Sequence, residues 1–315
     1  MTAAAESIID VAVGVVMHPD GRVLLAERPA GKPAAGYWEF PGGKLESDEN
    51  PRQALARELH EELGVEIEAA QPWITRLHRY PHLTVRLHIY RVWRWHGEPQ
   101  AREGQRLAWE DPHAHNVEPL LPANHSILAA LALPPVYAIT QASKYGARDF
   151  MQRLQRALNS GLRLIQVREP GMPAQALTEF ARQVVELAHA CQARVLINGD
   201  ERLAAASGAD GVHLQARQLM SRNSPPDTAV WSASCHDRAE LVRAAELEAS
   251  FVVLSPVLAT ASHPDATPLG WEHFETLCAD LPMPVFALGG MQIGMLETAI
   301  NRHAHGIALL SGIWQ

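Results

Sequence analysis

The chain has 315 residues, 47% of them hydrophobic and 20% charged, a length that suggests two domains, each able to bury a core, and excludes a small motif protein. Lys and Arg number 27 against 35 Asp and Glu, a formal charge of −8, which disfavours direct nucleic-acid binding or attachment to an anionic membrane. A phosphate ligand must then be held locally, by a metal ion or a few placed donors.

The N-terminal MTAAAESIID, with Glu6 and Asp10, lacks the basic and apolar regions of a secretory signal. No apolar run approaches the roughly 18 residues that cross a bilayer. The cysteines Cys191, Cys235 and Cys278 have neither disulfide nor metal-site spacing, and a cytoplasmic protein is expected.

Val11 to Met17 and Arg22 to Ala26 are apolar runs joined by His18-Pro19-Asp20-Gly21, which predicts a hairpin. Asn50-Pro51 then supplies an N-cap and a first helical residue. Leu55, Leu59 and Leu63 recur every four residues and Gly64 offers a left-handed stop, so a helix is expected to about Leu63. Glu58, Glu61 and Glu62 fall at i, i+3 and i+4 of that helix, close enough for the three carboxylates to converge. Unpaired they repel. Hard divalent cations take oxygen ligands, and a metal bridging these acids to a diphosphate removes the repulsion; a solvated acidic face is the alternative. Further on, Leu83, Val85, Leu87 and Ile89 alternate with Thr84, Arg86, His88 and Tyr90, the period of a half-buried strand.

Gly43, Glu49, Arg57, Glu58, Leu59, Glu61, Glu62, Gly64 and Val65 fill every fixed position of the Nudix box, G-x5-E-x7-R-E-U-x-E-E-x-G-U, where U is a bulky aliphatic residue. The first half therefore resembles a Nudix hydrolase. The resemblance implies an α+β Nudix fold in which Mg²⁺, with Mn²⁺ as a substitute, activates water against a nucleoside diphosphate linkage. It assigns Glu58, Glu61 and Glu62 as metal ligands and candidate bases, Arg57 and Glu49 as their orienting partners, and the Gly42 carbonyl as an additional ligand.

The run Trp38 to Gly43 and the segment Leu121-Pro122-Ala123-Asn124 resemble the MutT branch, 8-oxo-dGTP diphosphatases that cleanse the nucleotide pool and so limit mutation. This resemblance implies an oxidised purine nucleoside triphosphate as substrate, read by Asn124. 8-Oxoguanine presents an acceptor at O6 beside an N7–H donor, and one Asn amide offers both complements, whereas guanine presents two acceptors. Capping a helix before Ile127-Leu128 is the alternative role for Asn124. Arg28 aligns with an arginine near the nucleotide and Phe40 with a residue bordering the base. One departure is visible: the branch carries a glutamate just before the tryptophan aligned with Trp109, here Ala108. Glu110 shares a strand face with Ala108 and is a conceivable substitute.

Leu131-Ala132-Leu133-Pro134-Pro135 cannot continue a helix and marks a boundary, giving domains 1–132 and 133–315. Beyond it, eight short apolar runs alternate with helical stretches: Val136–Thr140, Leu162–Glu169, Arg194–Asn198, Gly211–Leu214, Ala229–Ser234, Phe251–Val257, Val285–Gly289 and Gly306–Ser311. Phe150, Leu154 and Leu158 are typical of the helical spacing. This order predicts an α/β (β/α)8 TIM barrel, compact for its class, with phosphate held after the last two strands by Gly289-Gly290 and Ser311-Gly312. Tight turns alone are the other reading of those glycines.

The runs around Gln166-Val167-Arg168, Ile197-Asn198, Asp210-Gly211-Val212-His213, Ser234-Cys235-His236, Ser255-Pro256, Gly289-Gly290 and Leu310-Ser311 resemble the thiamin phosphate synthase/TenI superfamily. The resemblance implies a site for thiazole phosphate built from Gln166, Arg168, Asn198, His236, Gly289, Gly290 and Ser311. Four positions at which synthases carry charged pyrophosphate contacts differ: Pro170, Gly199 (with Asp200 one residue on), Gln218 and His263 after Thr260 and Ser262. Synthase activity is accordingly not expected, because a diphosphate leaving group needs metal and cations. TenI, a thiazole tautomerase, uses a histidine at the position of His236. A tautomerase and a phosphate-binding module, including a sensor for thiazole phosphate, remain side by side. So does Nudix hydrolysis of a thiamin-pathway diphosphate in place of 8-oxo-dGTP.

Overall fold

The computed structural model describes residues 8–260 and 266–315; His263 and Ser262 of the expected phosphate loop, and Glu6, lie outside them. The chain divides into two compact units, the first ending at Ala132 and the second beginning at Leu133.

The first unit contains β1 (Ile8–Val16), β2 (Val23–Glu27), β3 (Trp38–Glu39), β4 (Gly42–Lys44), α1 (Pro51–Leu63), β5 (Glu66–Tyr80), β6 (Leu83–His96), β7 (Leu107–Glu110) and α2 (Pro122–Leu131). Two sheets form, β4-β1-β6-β5 and β3-β2-β7. β1 is buried on both faces: Val13 and Val15 pack with Val23, Leu25, Phe40 and Ile127 of α2, while Ala12 and Val16 pack with Leu55, Leu59 and Leu63 of α1. Gly14 lets α1 come close, since a Cβ there would stand 3.0 Å from Leu59 Cδ1.

The hairpin expected between β1 and β2 is corrected. His18 N donates to Arg22 O and Gly21 N to His18 O, so the turn exists. Past the single bridge Met17–Val23 the strands part, β1 pairing with β4 and β6 and β2 with β3 and β7. Turn chemistry fixes the reversal but not the strand's partner, which the two-sided apolar burial of β1 decides. The alternation across β6 is likewise partial. Leu83 is exposed, whereas the even-numbered Thr84 and Tyr90 are buried along with Val85, Leu87 and Ile89, because both faces of this strand are covered.

The second unit is a closed parallel barrel in the order β8 (Val136–Ile139), β9 (Leu164–Val167), β10 (Arg194–Asn198), β11 (Gly211–Leu214), β12 (Val230–Cys235), β13 (Phe251–Leu254), β14 (Val285–Ala287) and β15 (Gly306–Leu309). Its helices are α3 (Ala142–Tyr145), α4 (Ala147–Asn159), α5 (Ala174–His189), α6 (Glu201–Ser207), α7 (Ala216–Ser221), α8 (Arg238–Glu246), α9 (Gly270–Cys278) and α10 (Leu296–Asn301). Phe150, Leu154 and Leu158 of α4 are fully buried. The barrel interior is filled by Tyr137, Leu164, Leu196, Phe251, Val253, Phe286 and Ala308, a packed core and not a pore. No helix among the described residues is long and apolar enough to cross a membrane.

Candidate active sites

The capping of α1 sets the geometry of the first site. Asn50 Oδ1 accepts from Gln53 N at 3.0 Å and Gln53 Oε1 accepts from Asn50 N at 2.9 Å, a reciprocal capping box. Gly64 closes the helix at φ 74°. With its start and end fixed, α1 lays Glu58 and Glu62 against β4. Gly42 N donates to Glu62 Oε2 at 3.2 Å, and the Glu58 carboxylate covers Gly43 so closely that a Cβ there would lie 2.2 Å from it. Burial pushes the Glu62 carboxyl up to about 7; the Gly42 N–H opposes this and the Glu58 charge adds to it.

The convergence of three carboxylates expected from spacing alone is not what the side chains do. Arg57 gathers the acids instead. It donates through Nε and Nη2 to Glu49 at 2.8 and 2.9 Å, and through Nη1 to Glu58 Oε1 at 2.9 Å and Glu61 Oε2 at 3.2 Å. Its bonds to Glu49 hold that carboxyl down at about 2. Glu61, more than half exposed, meets the same guanidinium nitrogen as Glu58. Among the described residues no three His, Cys, Asp or Glu side chains are already grouped as a metal centre. The physical reason is mutual repulsion, which makes each acid take the nearest donor. Glu58 and Glu62, two hard oxygen donors held on the Gly42-Gly43 strand, nonetheless fit a divalent cation, which would relieve the like-charge contact between them.

Sequence reasoning missed Glu103. Arg102 N and Gln105 Nε2 both donate to Glu62 O, at 3.1 and 2.9 Å, and fix the 102–105 segment beside the acidic helix. The Glu103 carboxylate contributes to the raised pKa of Glu62 and pairs with Lys32 at 2.5 Å. Glu110, the conceivable substitute acid, lies on the strand paired with β2, and its buried carboxylate accepts from Asn116 N at 2.6 Å. Ala108 simply pairs with Leu25.

On the other side of β1, Asn124 lies inside α2, whose N-cap is Leu121. The capping role is therefore not its own. Asn124 is buried, and its Oδ1 accepts from Phe40 N at 3.2 Å. The Phe40 ring itself is core. Arg28 forms a two-point pair with Glu39, at 2.6 and 2.8 Å, and donates to Pro33 O. Burial raises the Glu39 carboxyl pKa even against this pairing.

In the barrel, a chain of neutral side chains lines the interior toward one mouth. Gln166 Nε2 donates to Tyr137 Oη at 3.1 Å, Asn198 Nδ2 to Gln166 Oε1 at 3.2 Å, and Gln215 Nε2 to Asn198 Oδ1 at 3.2 Å. Gln218 Nε2 donates to Gly199 O at 2.8 Å. His213 lies between Ser232 Oγ at 2.7 Å and Ser234 Oγ at 2.9 Å, and burial drives its pKa down to about 3, so the ring is neutral. Asp200 is spent as the N-cap of α6, accepting from Leu203 N. The residues present do not fit a magnesium-bound diphosphate at Gly199 and Gln218, because amides replace the acids such an ion needs.

The remaining barrel residues are less gathered. Arg168 is exposed, with its backbone N bonded to Thr140 Oγ1. His236 is exposed and shares Glu240 Oε2 through Nδ1 at 2.9 Å. Gly289 has φ 98° and passes so near Pro256 that a Cβ would be 2.8 Å from its Cα, and Gly290 similarly meets Ala259 O. Close backbone packing thus accounts for both glycines by itself. Ser311 is exposed at the chain's final turn.

The first unit carries the acid-bearing helix expected of a Nudix hydrolase, and the second the closed parallel barrel expected of the thiamin phosphate synthase/TenI superfamily. The family models agree: a NUDIX domain matches residues 12–130 and thiamine monophosphate synthase matches residues 136–313. The chain belongs to both families, its first unit to the Nudix hydrolases and its second to the thiamine monophosphate synthase/TenI family. A CTP pyrophosphohydrolase of Escherichia coli is 42% identical over 38% of this chain and 87% of its own length. An 8-oxo-dGTP diphosphatase of Haemophilus influenzae is 37% identical over 40% of this chain and 93% of its own. A putative thiamine-phosphate synthase 2 of Aquifex aeolicus is 34% identical over 58% of this chain and 98% of its own.

Proposed function

We propose that the first unit hydrolyses 8-oxo-dGTP to 8-oxo-dGMP and pyrophosphate, with Mg²⁺ as the natural ion and Mn²⁺ as a substitute. Glu58 and Glu62 would hold the ion with the Gly42 carbonyl, and Glu61 would join them by releasing Arg57. Arg57, braced by Glu49, keeps Glu58 aimed at Gly43. When bound, the metal polarises phosphoryl oxygens and lowers the pKa of its water. Glu58, Glu61 and Glu62 are the candidate side chains to accept a proton from that water.

The observation that carries the substrate reading is the bond from Phe40 N to Asn124 Oδ1. A backbone N–H only donates, so the atom it meets is the amide oxygen, and the orientation of Asn124 is set before a base arrives. Oδ1 keeps a second lone pair for an N7–H, and Nδ2 is left to donate to O6. Guanine, with an acceptor at N7, meets an acceptor there and is rejected. Cytosine offers the same neighbouring pattern in N4–H and N3, which makes CTP a second reading, favoured by the similarity to the pyrophosphohydrolase. Comparing kcat/KM for 8-oxo-dGTP, dGTP and CTP with Mg²⁺ decides: the reading expects 8-oxo-dGTP to exceed dGTP by at least about 100-fold, and preference for CTP replaces it.

The barrel is proposed to bind a thiazole phosphate, as a tautomerase or a binding module, without synthase activity. Support comes from the amide chain Asn198–Gln215–Gln218 where acids would grip a metal diphosphate. The whole chain supplied with hydroxymethylpyrimidine diphosphate, thiazole phosphate and Mg²⁺ is expected to form no thiamin phosphate; its formation overturns this assignment.

A further inference from the structure

The loop between β2 and β3 arches from Arg28 to Tyr37. Arg28 N donates to Tyr37 O at 2.8 Å and Gly36 N to Arg28 O at 2.9 Å, closing its base. Arg28 then anchors it from within, pairing with Glu39 and donating to Pro33 O at 2.7 Å. Lys32 stands at the turn, its own N bonded to Pro29 O. Its side chain crosses to Glu103, and Glu103 belongs to the segment pinned on Glu62 O by Arg102 and Gln105. One ion pair therefore joins the loop that leads into Glu39 and Phe40 to the segment bound to the helix that carries Glu58 and Glu62. Both of its members act electrostatically on Glu62, with opposite signs.

That pair is exposed on both sides, 44% at Lys32 and 39% at Glu103, so it is weak and easily exchanged. A polyphosphate carries several negative charges where Glu103 carries one, and an ammonium on a flexible stem suits phosphate as a mobile point charge. We propose that Lys32 is a polyphosphate-binding residue, held over the site by Glu103 in the free protein and transferred to the incoming substrate. The proposal rests on reading the first unit as a triphosphate hydrolase and adds the residue that receives the phosphate tail. The exchange leaves the Glu103 carboxylate without its counter-ion, beside Glu62, only when substrate is present.

The test is calorimetric titration of the full chain with inorganic tripolyphosphate and Mg²⁺, followed by steady-state kinetics. Lys32→Gln is expected to weaken tripolyphosphate binding about tenfold and to raise KM by a similar factor while kcat stays within about twofold. Lys32→Arg, which keeps the charge, should restore most of both, and the melting temperatures should agree. Unchanged binding in Lys32→Gln, or a loss confined to kcat, overturns the proposal. If tripolyphosphate binding depends on Lys32 but no nucleoside triphosphate is hydrolysed, the substrate reading fails and the role of Lys32 stands. If hydrolysis proceeds and Lys32→Gln changes nothing, the reverse holds.

Discussion

Phe40 and Asn124, 84 positions apart, are joined by a bond from the Phe40 backbone N–H to the Asn124 side-chain oxygen at 3.2 Å. The contact ties the loop before β4 to α2 and fixes the orientation of the amide. Asn124→Ala is expected to reduce kcat/KM for 8-oxo-dGTP by about 100-fold and leave that for dGTP within a few-fold, since guanine gains little from the amide. Parallel assays of the two nucleotides check it, and equal losses on both would show that Asn124 acts on folding and not on base choice.

The paired glycines of β4 separate structure from chemistry. Gly42 has φ 141°, and a Cβ there would stand 2.1 Å from Ala12 O, a backbone atom that cannot move aside. At Gly43 the atoms nearest an added Cβ belong to the end of the flexible Glu58 side chain. Gly42→Ala should therefore lower the melting temperature by several degrees, an effect of about 2 kcal/mol. Gly43→Ala should melt near the wild type but lose turnover by displacing Glu58. Thermal melts beside activity assays distinguish the two.

Arg57 holds Glu49, Glu58 and Glu61 through a planar fork. Lysine presents one ammonium and cannot reproduce those simultaneous bonds. Arg57→Lys is expected to cut kcat by about 10- to 100-fold with a smaller change in KM, measured with 8-oxo-dGTP. A proportional rise in KM alone would mean that Arg57 binds substrate directly.

The barrel should lose stability in acid because of His213. Burial depresses its folded pKa to about 3 from an ordinary 6.5, so between those values the unfolded chain binds the extra proton. Stability is full above about pH 6.5 and declines as pH falls toward 3, by at most about 1.4 kcal/mol per pH unit for this one group. Urea unfolding of the barrel at a series of pH values measures the slope. His213→Asn or His213→Gln should flatten it, and an unchanged slope would place the acid sensitivity elsewhere.

Much of this fold is legible in the sequence. The strands of the barrel announce themselves as short apolar runs between helical spacings, and α1 carries its own start and stop in Asn50, Pro51 and Gly64. These signals are local, and local chemistry decides them. The parting of β1 and β2 was not legible, because the turn at His18–Gly21 is indifferent to which sheet each strand joins. The place of Glu61 was hidden for a different reason: spacing on a helix brings Cβ atoms together, but charge decides where the carboxylates go, and Arg57 was nearer. Glu103 left no periodic trace at all. It sits in the irregular segment between β6 and β7, and only the hydrogen bonds to Glu62 O bring it to the site.

The central claim, that the carboxylates of α1 hold the ion for nucleotide hydrolysis, is tested most directly by Glu62→Gln. Burial and the neighbouring Glu58 make the charged Glu62 costly in the metal-free protein, so the neutral variant should melt no lower than the wild type in metal-free buffer at pH 8. Release of 8-oxo-dGMP from 8-oxo-dGTP with saturating Mg²⁺ is then the measurement. The account predicts a rate at least about 1,000-fold below wild type in the intact fold. A Glu62→Gln protein that folds and turns over near the wild-type rate would contradict it.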